Sequence, residues 1–348
     1  MPPTPRLLSL ATAVPDHVIT QAEVRAWAAT LFNGRNVDIR RLLPAFDNAG
    51  IETRHSCVPL AWHDDSHRWM EKNRLYVENA VELLAEAATD CLAAAGLRPD
   101  AVDAVVAVST SGFATPSLDA LVMERLGLRR DVTRLPVFGL GCAGGVLGLA
   151  QAAEMARAEP GRRVLLLVVE LCGLTFRSGD ASKSNVIATV LFGDGAAAAL
   201  VTTDGDGAAI GHAHEHTWPD SLDVMGWNIE DDGFGVLFSR DIPSLVTREM
   251  PAVLDAYLAA QGLTLDDYHG FICHPGGAKV IAALEEVFRL QPGGLADARD
   301  VLRRYGNMSA ATVMFVLERF MASGRSGRYL MSALGPGFTA GFLTLEIP

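Results

Sequence analysis

The 348-residue sequence has little of what marks secreted, membrane-bound or nucleic-acid-binding proteins. It contains five cysteines, an odd number without CxxC spacing, which argues against a disulfide framework and against a zinc site. The strongest aliphatic run, residues 164–169, is too short to span a bilayer, and the first 15 residues carry one arginine and a broken apolar run. A formal net charge of -12 argues against nucleic-acid binding. We therefore expect a cytoplasmic protein with free thiols and no membrane span.

The pattern of apolar residues indicates an α/β protein. A capping box, Thr20-x-x-Glu23, predicts a helix to about Phe32, and residues 33–69 are predicted to be irregular. A long amphipathic helix is predicted over residues 73–95 with Gly96 at its end. Continuous apolar strands at residues 105–108 and 164–169 alternate with helical runs, which favours a largely parallel sheet covered on both faces.

An internal sequence similarity predicts two similar halves. Residues 96–108 resemble residues 262–274 without gaps, and each segment follows a long helix that ends in glycine. We therefore divide the chain into residues 1–210 and 211–348, packed about a pseudo-twofold axis. In that arrangement the turn that carries Cys142 and the turn that carries Asn307 lie at matching helix starts, and His274 at the end of a strand can reach both.

Cys142 lies in a glycine-rich turn between a strand-like run, residues 135–138, and a helix-like run, residues 146–158. The start of a helix stabilises an anion, so this position favours the reactive thiolate. Two alternatives remain from these residues alone. Cys142 could be a small buried residue, or Gly139-x-Gly141-x-x-Gly144, with Glu170 after the next strand, could bind a dinucleotide.

A cysteine, a histidine and an asparagine together suit acyl transfer through a thioester. The cysteine is the nucleophile, and the other two groups can stabilise a developing oxyanion. Taken singly, His274 has a structural interpretation and Asn307 is a good helix N-cap. Their placement with Cys142 at duplicated positions favours the catalytic interpretation.

Several motifs also resemble one family. These are Gly141-Cys-Ala-Gly-Gly, Glu170-x-x-x-x-Thr-Phe-Arg177, Leu191-Phe-Gly-Asp-Gly-Ala-Ala197, His274-Pro-Gly-Gly277, Tyr305-Gly-Asn-Met-Ser309 and Gly335-Pro-Gly-Phe-Thr339. Together they are similar to the type III polyketide synthases, the chalcone-synthase-like branch of the thiolase superfamily. The resemblance implies a five-layered αβαβα thiolase fold, a homodimer, and acyl-CoA and malonyl-CoA as substrates with no further cofactor and no metal.

The resemblance implies roles for individual residues. Cys142 would carry the acyl chain, and His274 and Asn307 would stabilise the enolate formed when malonyl-CoA loses carbon dioxide. Phe192 matches the family's gatekeeper phenylalanine, although core packing would also explain it. The family's elongation cavity would be lined by Thr110, Thr115, Cys172, Thr175, Phe238 and Ser309.

Two cations, Arg54 and Lys279, are candidates for binding the CoA phosphates, because an acidic protein must concentrate positive charge at the mouth of the CoA tunnel. Both could equally be solvated surface charges. The alternating histidines of His212-x-His214-x-His216 could conceivably bind a metal, but surface or interface histidines fit them better.

The chain departs from the plant chalcone synthases at Thr115, where they carry methionine, and at Cys172, where they carry threonine. The segments 182–185 and 225–228 look more like the bacterial alkylpyrone and alkylresorcinol synthases. A fatty acyl starter and an alkylpyrone or alkylresorcinol product are therefore expected. A ketoacyl synthase III, a nicotinamide-dependent oxidoreductase and a non-catalytic thiolase-fold partner remain as alternatives, and an acyl carrier protein could deliver the starter instead of CoA.

Overall fold

The computed structural model describes residues 3–35 and 37–348. Its helices are α1 Gln21–Leu31, α2 Ile39–Asp47, α3 Trp69–Ala94, α4 Leu118–Leu126, α5 Gly144–Ala158, α6 Lys183–Leu191, α7 Ile242–Ala259, α8 Ala278–Val287, α9 Ala296–Tyr305 and α10 Thr312–Ala322. Its strands are β1 Arg6–Ala13, β2 His17–Thr20, β3 Thr53–Ser56, β4 Ala104–Val108, β5 Thr133–Val137, β6 Val164–Leu171, β7 Asp194–Thr202, β8 Ala208–Thr217, β9 Met225–Glu230, β10 Gly233–Phe238, β11 Gly270–Cys273, β12 Gly327–Gly335 and β13 Thr339–Ile347.

The main sheet joins strands of both halves. Its order is β11-β12-β13-β8-β1-β7-β6-β4-β5, and β1 and β8 connect the halves through only two pairs of residues, Arg6 with Ala209 and Leu7 with Ala208. Strand β4 is parallel to β5 and β6, and β11 is parallel to β12, whereas the other described neighbours are antiparallel. The prediction of a largely parallel sheet is therefore wrong: β1, β7, β8 and β13 form an antiparallel centre.

Helix α5 lies in the middle of the layers. It contacts β4, β6 and β7 of the first half and β8, β12 and β13 of the second, and α10 packs beside it. Helix α3 covers the outer side of β1, β6 and β7. On the opposite outer side, α7 packs against α8, and its Tyr257 ring stacks on Phe342 of β13 at 5.3 Å between centroids. These are the five alternating layers of the thiolase fold.

The duplicated units have the same local structure. Helix α3 ends before Gly96, whose φ is +65°, and helix α7 ends before Gly262, whose φ is +66°, so each glycine occupies the left-handed conformation that closes a helix. The next N–H groups, of Leu97 and Leu263, donate to Leu92 and Leu258 carbonyls at 2.9 and 3.0 Å. A short 3-10 turn and a buried strand follow in both cases. The predicted likeness of these two segments is confirmed.

The N-terminal region is more ordered than its sequence suggests. The predicted capping box is present, with the Glu23 N–H donating to Thr20 Oγ1 at 3.2 Å and the Thr20 N–H donating to Glu23 Oε2 at 2.8 Å. The prediction that residues 33–69 are irregular is wrong, because α2, β3 and the start of α3 lie there. Strand β3 forms by pairing with β2, a contact between segments about 35 residues apart that a local pattern does not reveal.

Two further observations bear on the predicted organisation. Residue 210, the predicted boundary between the halves, lies within β8, and the division into two domains stays a prediction. Among residues 3–35 and 37–348, none of the helices has both the length and the apolar composition that crossing a membrane requires.

Candidate active site

Cys142 is held at the start of the central helix. Strand β5 leads to Gly139 and Gly141, whose φ angles are +95° and +46°, and a 3-10 turn over Gly141–Ala143 leads into α5. A Cβ atom on Gly141 would lie 2.6 Å from Cδ of Pro336, so only glycine fits. The Gly141 N–H donates to Oγ1 of Thr110 at 3.1 Å. These contacts fix the position of Cys142.

The glycines that follow Cys142 serve close packing. A Cβ on Gly144 would lie 2.7 Å from Cγ1 of Val108 in β4, and one on Gly145 would lie 2.4 Å from the Ala310 carbonyl oxygen. The glycine spacing therefore lets α5 approach β4 and the start of α10. This explains the residues that suggested a dinucleotide fingerprint.

His274 and Asn307 reach the same place from the second half. His274 follows β11, and its N–H donates to the Ser332 carbonyl at 2.9 Å. Asn307 lies between α9 and the 3-10 turn that starts α10; its Nδ2 donates to the Gly276 carbonyl at 3.2 Å, and its Oδ1 accepts from the Ser309 N–H at 2.8 Å. Backbone groups thus hold the main chain at His274 and orient the side chain of Asn307.

The three predicted catalytic side chains border one pocket. Cys142 Sγ lies 4.0 Å from Asn307 Oδ1. His274 is only 4% exposed, and neither of its ring nitrogens has a hydrogen-bond partner among the described residues. Buried polar nitrogens without partners are rare, and they leave His274 available to a reacting group. Phe238, another predicted residue, borders the same pocket.

Burial acts on the thiol and the imidazole in opposite directions. It raises the pKa of Cys142 to about 12, with hydrogen bonds from Ser309 and Asn307 opposing that change, and it lowers the pKa of His274 to about 3. A lone thiolate and a lone imidazolium are therefore both disfavoured in this pocket. The thiolate predicted from the helix start can form only with a compensating positive charge, and His274 is the group in the pocket that can supply it by accepting the proton.

A buried carboxyl group, Glu170, lies behind the site. Its Oε2 accepts from the Thr110 N–H at 3.0 Å and from Ser111 Oγ at 2.7 Å, and its Oε1 accepts from Ser309 Oγ at 3.3 Å. Burial raises the pKa of Glu170 to about 7. Two predicted cavity residues, Thr110 and Ser309, are therefore buried beside Cys142 and tied to a carboxyl group whose role the sequence did not reveal.

A second pocket includes Phe192 in its lining. Two predicted residues, Cys172 and Thr175, border it together with Phe192. The Phe192 ring lies 5.7 Å from the ring of Phe238, which borders the catalytic pocket. The two phenylalanine rings thus stand where the pockets approach each other. The lining of the second pocket also includes residues to which the sequence analysis gave no role: Ile19, Val24, Trp27, Leu60, His63 and Phe176.

The two predicted CoA-binding cations differ in position. Lys279 is exposed on the first turn of α8. Arg54 is only 5% exposed, and its guanidinium donates to the carbonyl oxygens of Thr189, Val190 and Phe192. The prediction that Arg54 binds CoA phosphates is wrong, because its terminal nitrogens are occupied inside the protein.

Thr115 also departs from its predicted position. It is exposed on the loop between β4 and α4, where the Thr115–Pro116 peptide bond is cis, and it borders neither pocket. The expectation that a small residue at 115 opens a passage for an alkyl chain is therefore not supported within one chain. His212 and His214 lie beside the Tyr257 ring, and in the described part of the chain no group of His, Cys, Asp and Glu side chains is arranged to hold a metal.

Comparison with known proteins agrees with this geometry. The N-terminal domain of chalcone and stilbene synthases matches residues 4–205, and the C-terminal domain matches residues 209–346. The chain is 37% identical to a chalcone synthase-like protein of Bacillus subtilis, over 97% of both chains. It is also 37% identical to the 1,3,6,8-tetrahydroxynaphthalene synthase of Streptomyces peucetius, over 96% of this chain and 91% of the relative.

The solved structures include a near match of the whole chain. The 1,3,6,8-tetrahydroxynaphthalene synthase of Streptomyces coelicolor superimposes with a TM-score of 0.94 at 26% identity, covering 98% of this chain and 99% of the other. That structure is described as a bacterial type III polyketide synthase. The chain therefore belongs to the chalcone and stilbene synthase family and is a type III polyketide synthase, an acyltransferase that condenses acyl units with decarboxylation.

Proposed function

We propose that this polyketide synthase loads a fatty acyl group from acyl-CoA onto Cys142, extends it with malonyl-CoA, and cyclises the chain to an alkylpyrone or alkylresorcinol. The observation that carries the fatty acyl starter is the second pocket, which is lined mainly by apolar side chains and includes Phe192, whose ring lies near Phe238 of the catalytic pocket. The roles of the site residues are part of the same proposal.

Loading follows from the arrangement of Cys142 and His274. The thiol proton passes to His274 as sulfur attacks the carbonyl carbon of acyl-CoA, so the two charges form together. The bond between that carbon and the CoA sulfur then breaks, and CoA leaves as the thiol after taking the proton back from His274. The acyl group is now held as a thioester on Cys142.

Extension uses the hydrogen-bond donors of the same pocket. The carbon–carbon bond to the carboxylate of malonyl-CoA breaks, carbon dioxide leaves, and the electron pair forms an enolate whose oxygen accepts from the His274 N–H and the Asn307 Nδ2–H. The enolate carbon attacks the thioester carbonyl, the bond from that carbon to the Cys142 sulfur breaks, and the sulfur takes up a proton from solvent as it leaves. Neutral His274 suits this step, because burial holds its pKa near 3 and leaves an N–H on the ring without a positive charge.

The second pocket has the character of a site for an apolar tail. Trp27 and Phe176 meet edge to face in its lining, with centroids 5.2 Å apart, and the Trp27 Nε1–H donates to Asp64 Oδ1 at 2.7 Å, which fixes the indole. His63 lies against the Phe176 ring, and burial lowers the pKa of His63 to about 4, so it is neutral at pH 7. Each methylene transferred from water into such a pocket contributes about 0.8 kcal/mol.

A second candidate is a synthase that starts from malonyl-CoA. The 37% identity to the tetrahydroxynaphthalene synthase of Streptomyces peucetius favours it. The deciding experiment is mass spectrometry of products from purified enzyme given malonyl-CoA with acyl-CoA starters of graded length, or malonyl-CoA alone. We expect cyclised products that contain the fatty acyl group, absent with Cys142→Ala. A tetrahydroxynaphthalene from malonyl-CoA alone, with acyl-CoA ignored at every length, would contradict the fatty acyl starter. A comparison with acyl carrier protein thioesters tests the route of delivery.

We also propose a homodimer. Strand β5 is the last strand of the main sheet, and unpaired strand edges readily pair with another chain. Beside it, Phe113 and Phe138 are 42% and 51% exposed and stack with centroids 4.8 Å apart. Light scattering with size-exclusion chromatography should give twice the 37.1 kDa chain mass, and Phe138→Glu should shift the protein towards the monomer. A monomeric wild type would refute the assembly.

A further inference from the structure

Arg54 is a buried cation with an unusual set of partners. It lies on β3, far from the α6 residues in sequence, yet Nη1 donates to the carbonyls of Thr189 at 2.9 Å and Phe192 at 2.8 Å, and Nη2 donates to the carbonyl of Val190 at 2.9 Å. Nη2 also bonds Oε1 of Gln21. Burying an arginine is costly unless its donors are satisfied. Both terminal nitrogens of Arg54 are satisfied here, whereas its buried Nε has no partner among the described residues. The contacts of the terminal nitrogens with one short segment indicate a specific task.

The three carbonyls belong to the end of α6 and the residue after it. The last carbonyls of a helix have no partners within the helix, and a cation there also complements the helix dipole. At this end the chain leaves the helix at once, because Phe192 has φ -77° and ψ 145°. Arg54 therefore holds the backbone at the point where Phe192 departs from α6.

The same point is where Phe192 meets the catalytic asparagine. The Asn307 N–H donates to the Leu191 carbonyl at 2.8 Å, and the Gly193 N–H donates to the Asn307 carbonyl at 3.0 Å, so the two segments form a short parallel bridge. Gly193 and Gly306 permit this approach: a Cβ on Gly193 would lie 3.3 Å from Cβ of Arg54, and one on Gly306 would lie 2.8 Å from the Leu191 carbonyl oxygen.

The charge of Arg54 is retained in this setting. Burial lowers its pKa to about 10, against a raising effect from Asp194, so the guanidinium is protonated at pH 7. Asp194 is also buried and accepts from the Gly173 N–H at 2.7 Å and the Cys57 N–H at 2.9 Å. The cation therefore has a fixed opposite charge nearby while its own donors hold α6.

We infer that Arg54 is a positioning residue, which sets the Phe192 ring and the Asn307 amide relative to each other and takes no part in binding CoA phosphates. The inference rests on the proposed roles of Phe192 and Asn307. It explains why a guanidinium is needed: one planar group reaches three carbonyls in different directions, whereas a lysine offers a single charged point.

The test separates positioning from binding by comparing KM with kcat. In Arg54→Gln we expect kcat for condensation to fall by about tenfold to a hundredfold, the range expected when a catalytic group shifts by about 1 Å. The KM for malonyl-CoA should stay within about twofold, and a larger share of the malonyl-CoA that is decarboxylated should fail to condense. Arg54→Lys should recover part of kcat. The matched control is Arg25→Gln. Arg25 lies on α1 with a partly exposed side chain that pairs with Asp47, and its replacement should alter neither kcat nor KM.

A tenfold rise in KM for malonyl-CoA and in the inhibition constant of free CoA, at unchanged kcat, would overturn the inference. If Arg54→Gln does not fold, Gln21→Met is the second variant, since it removes one partner of the guanidinium and keeps the side-chain length. A folded Gln21→Met enzyme with a smaller loss of kcat supports the inference, and one with unchanged kcat and product ratio refutes it. Decarboxylation of malonyl-CoA alone needs no starter, so this readout does not depend on whether the fatty acyl starter is correct.

Discussion

Filling the second pocket is the sharpest test of the fatty acyl starter. Ala188 on α6 borders that pocket and is 6% exposed. Leucine at this position adds three carbon atoms to the pocket and should displace about three methylenes of a bound tail. At about 0.8 kcal/mol per methylene, kcat/KM for long starters should fall by about 60-fold. Starters too short to reach Ala188 should change by less than about twofold.

The assay is competition between acyl-CoA starters of graded length, with products counted by mass spectrometry. Ala256→Leu makes the same change at an exposed position of α7 and should leave the length profile unaltered. Thermal melting of both variants establishes that they fold. An unchanged profile in Ala188→Leu, or an equal loss at every length including the shortest, would show that the tail does not occupy this pocket.

Three further predictions concern the active site and the core. In His274→Ala the pH midpoint for alkylation of Cys142 by iodoacetamide should rise, because burial raises the thiol pKa and the variant lacks the imidazole that accepts the thiol proton. An unchanged midpoint would show that His274 does not accept the proton of Cys142. Gly141→Ala should lower the melting temperature and abolish condensation, because its Cβ would collide with Pro336, and wild-type turnover would contradict the close approach. Tyr257→Phe should cost about 1–2 kcal/mol in urea unfolding, since two buried hydrogen bonds of its hydroxyl are lost, and a neutral result would show that they contribute nothing.

The sequence predicted best what depends on short-range pattern. The residues Tyr76, Ala80 and Leu84 of α3 repeat at four-residue spacing, and all are buried as expected. Strand β4 and the first six residues of β6 are continuous apolar runs, and both strands are buried. The sequence could place Cys142, His274 and Asn307 in one site because residues 96–108 resemble residues 262–274. That similarity relates distant segments, which periodicity cannot do.

What the sequence missed depends on contacts between distant segments. Trp27 has the ordinary pattern of an amphipathic helix, and only the fold shows that it closes a pocket beside Phe192. Arg54 has the same charge whether it faces solvent or three carbonyls, so composition suggested a ligand and the structure shows an internal role. Thr115 shows a different limit. The family resemblance placed it in the elongation cavity, but a matching position in the sequence does not establish which surface of this chain the residue faces.

The position of Cys142 has a consequence for how the polyketide chain grows. The sulfur sits in the turn before α5, a helix enclosed by strands of both halves and closely packed through its glycines. In the proposed mechanism each acyl group is attached at this same point, so every added two-carbon unit places the starter end further from the sulfur. A wall met by that end would limit the chain length without touching the reacting atoms, and a substitution there is expected to change when growth stops without changing how each bond is made.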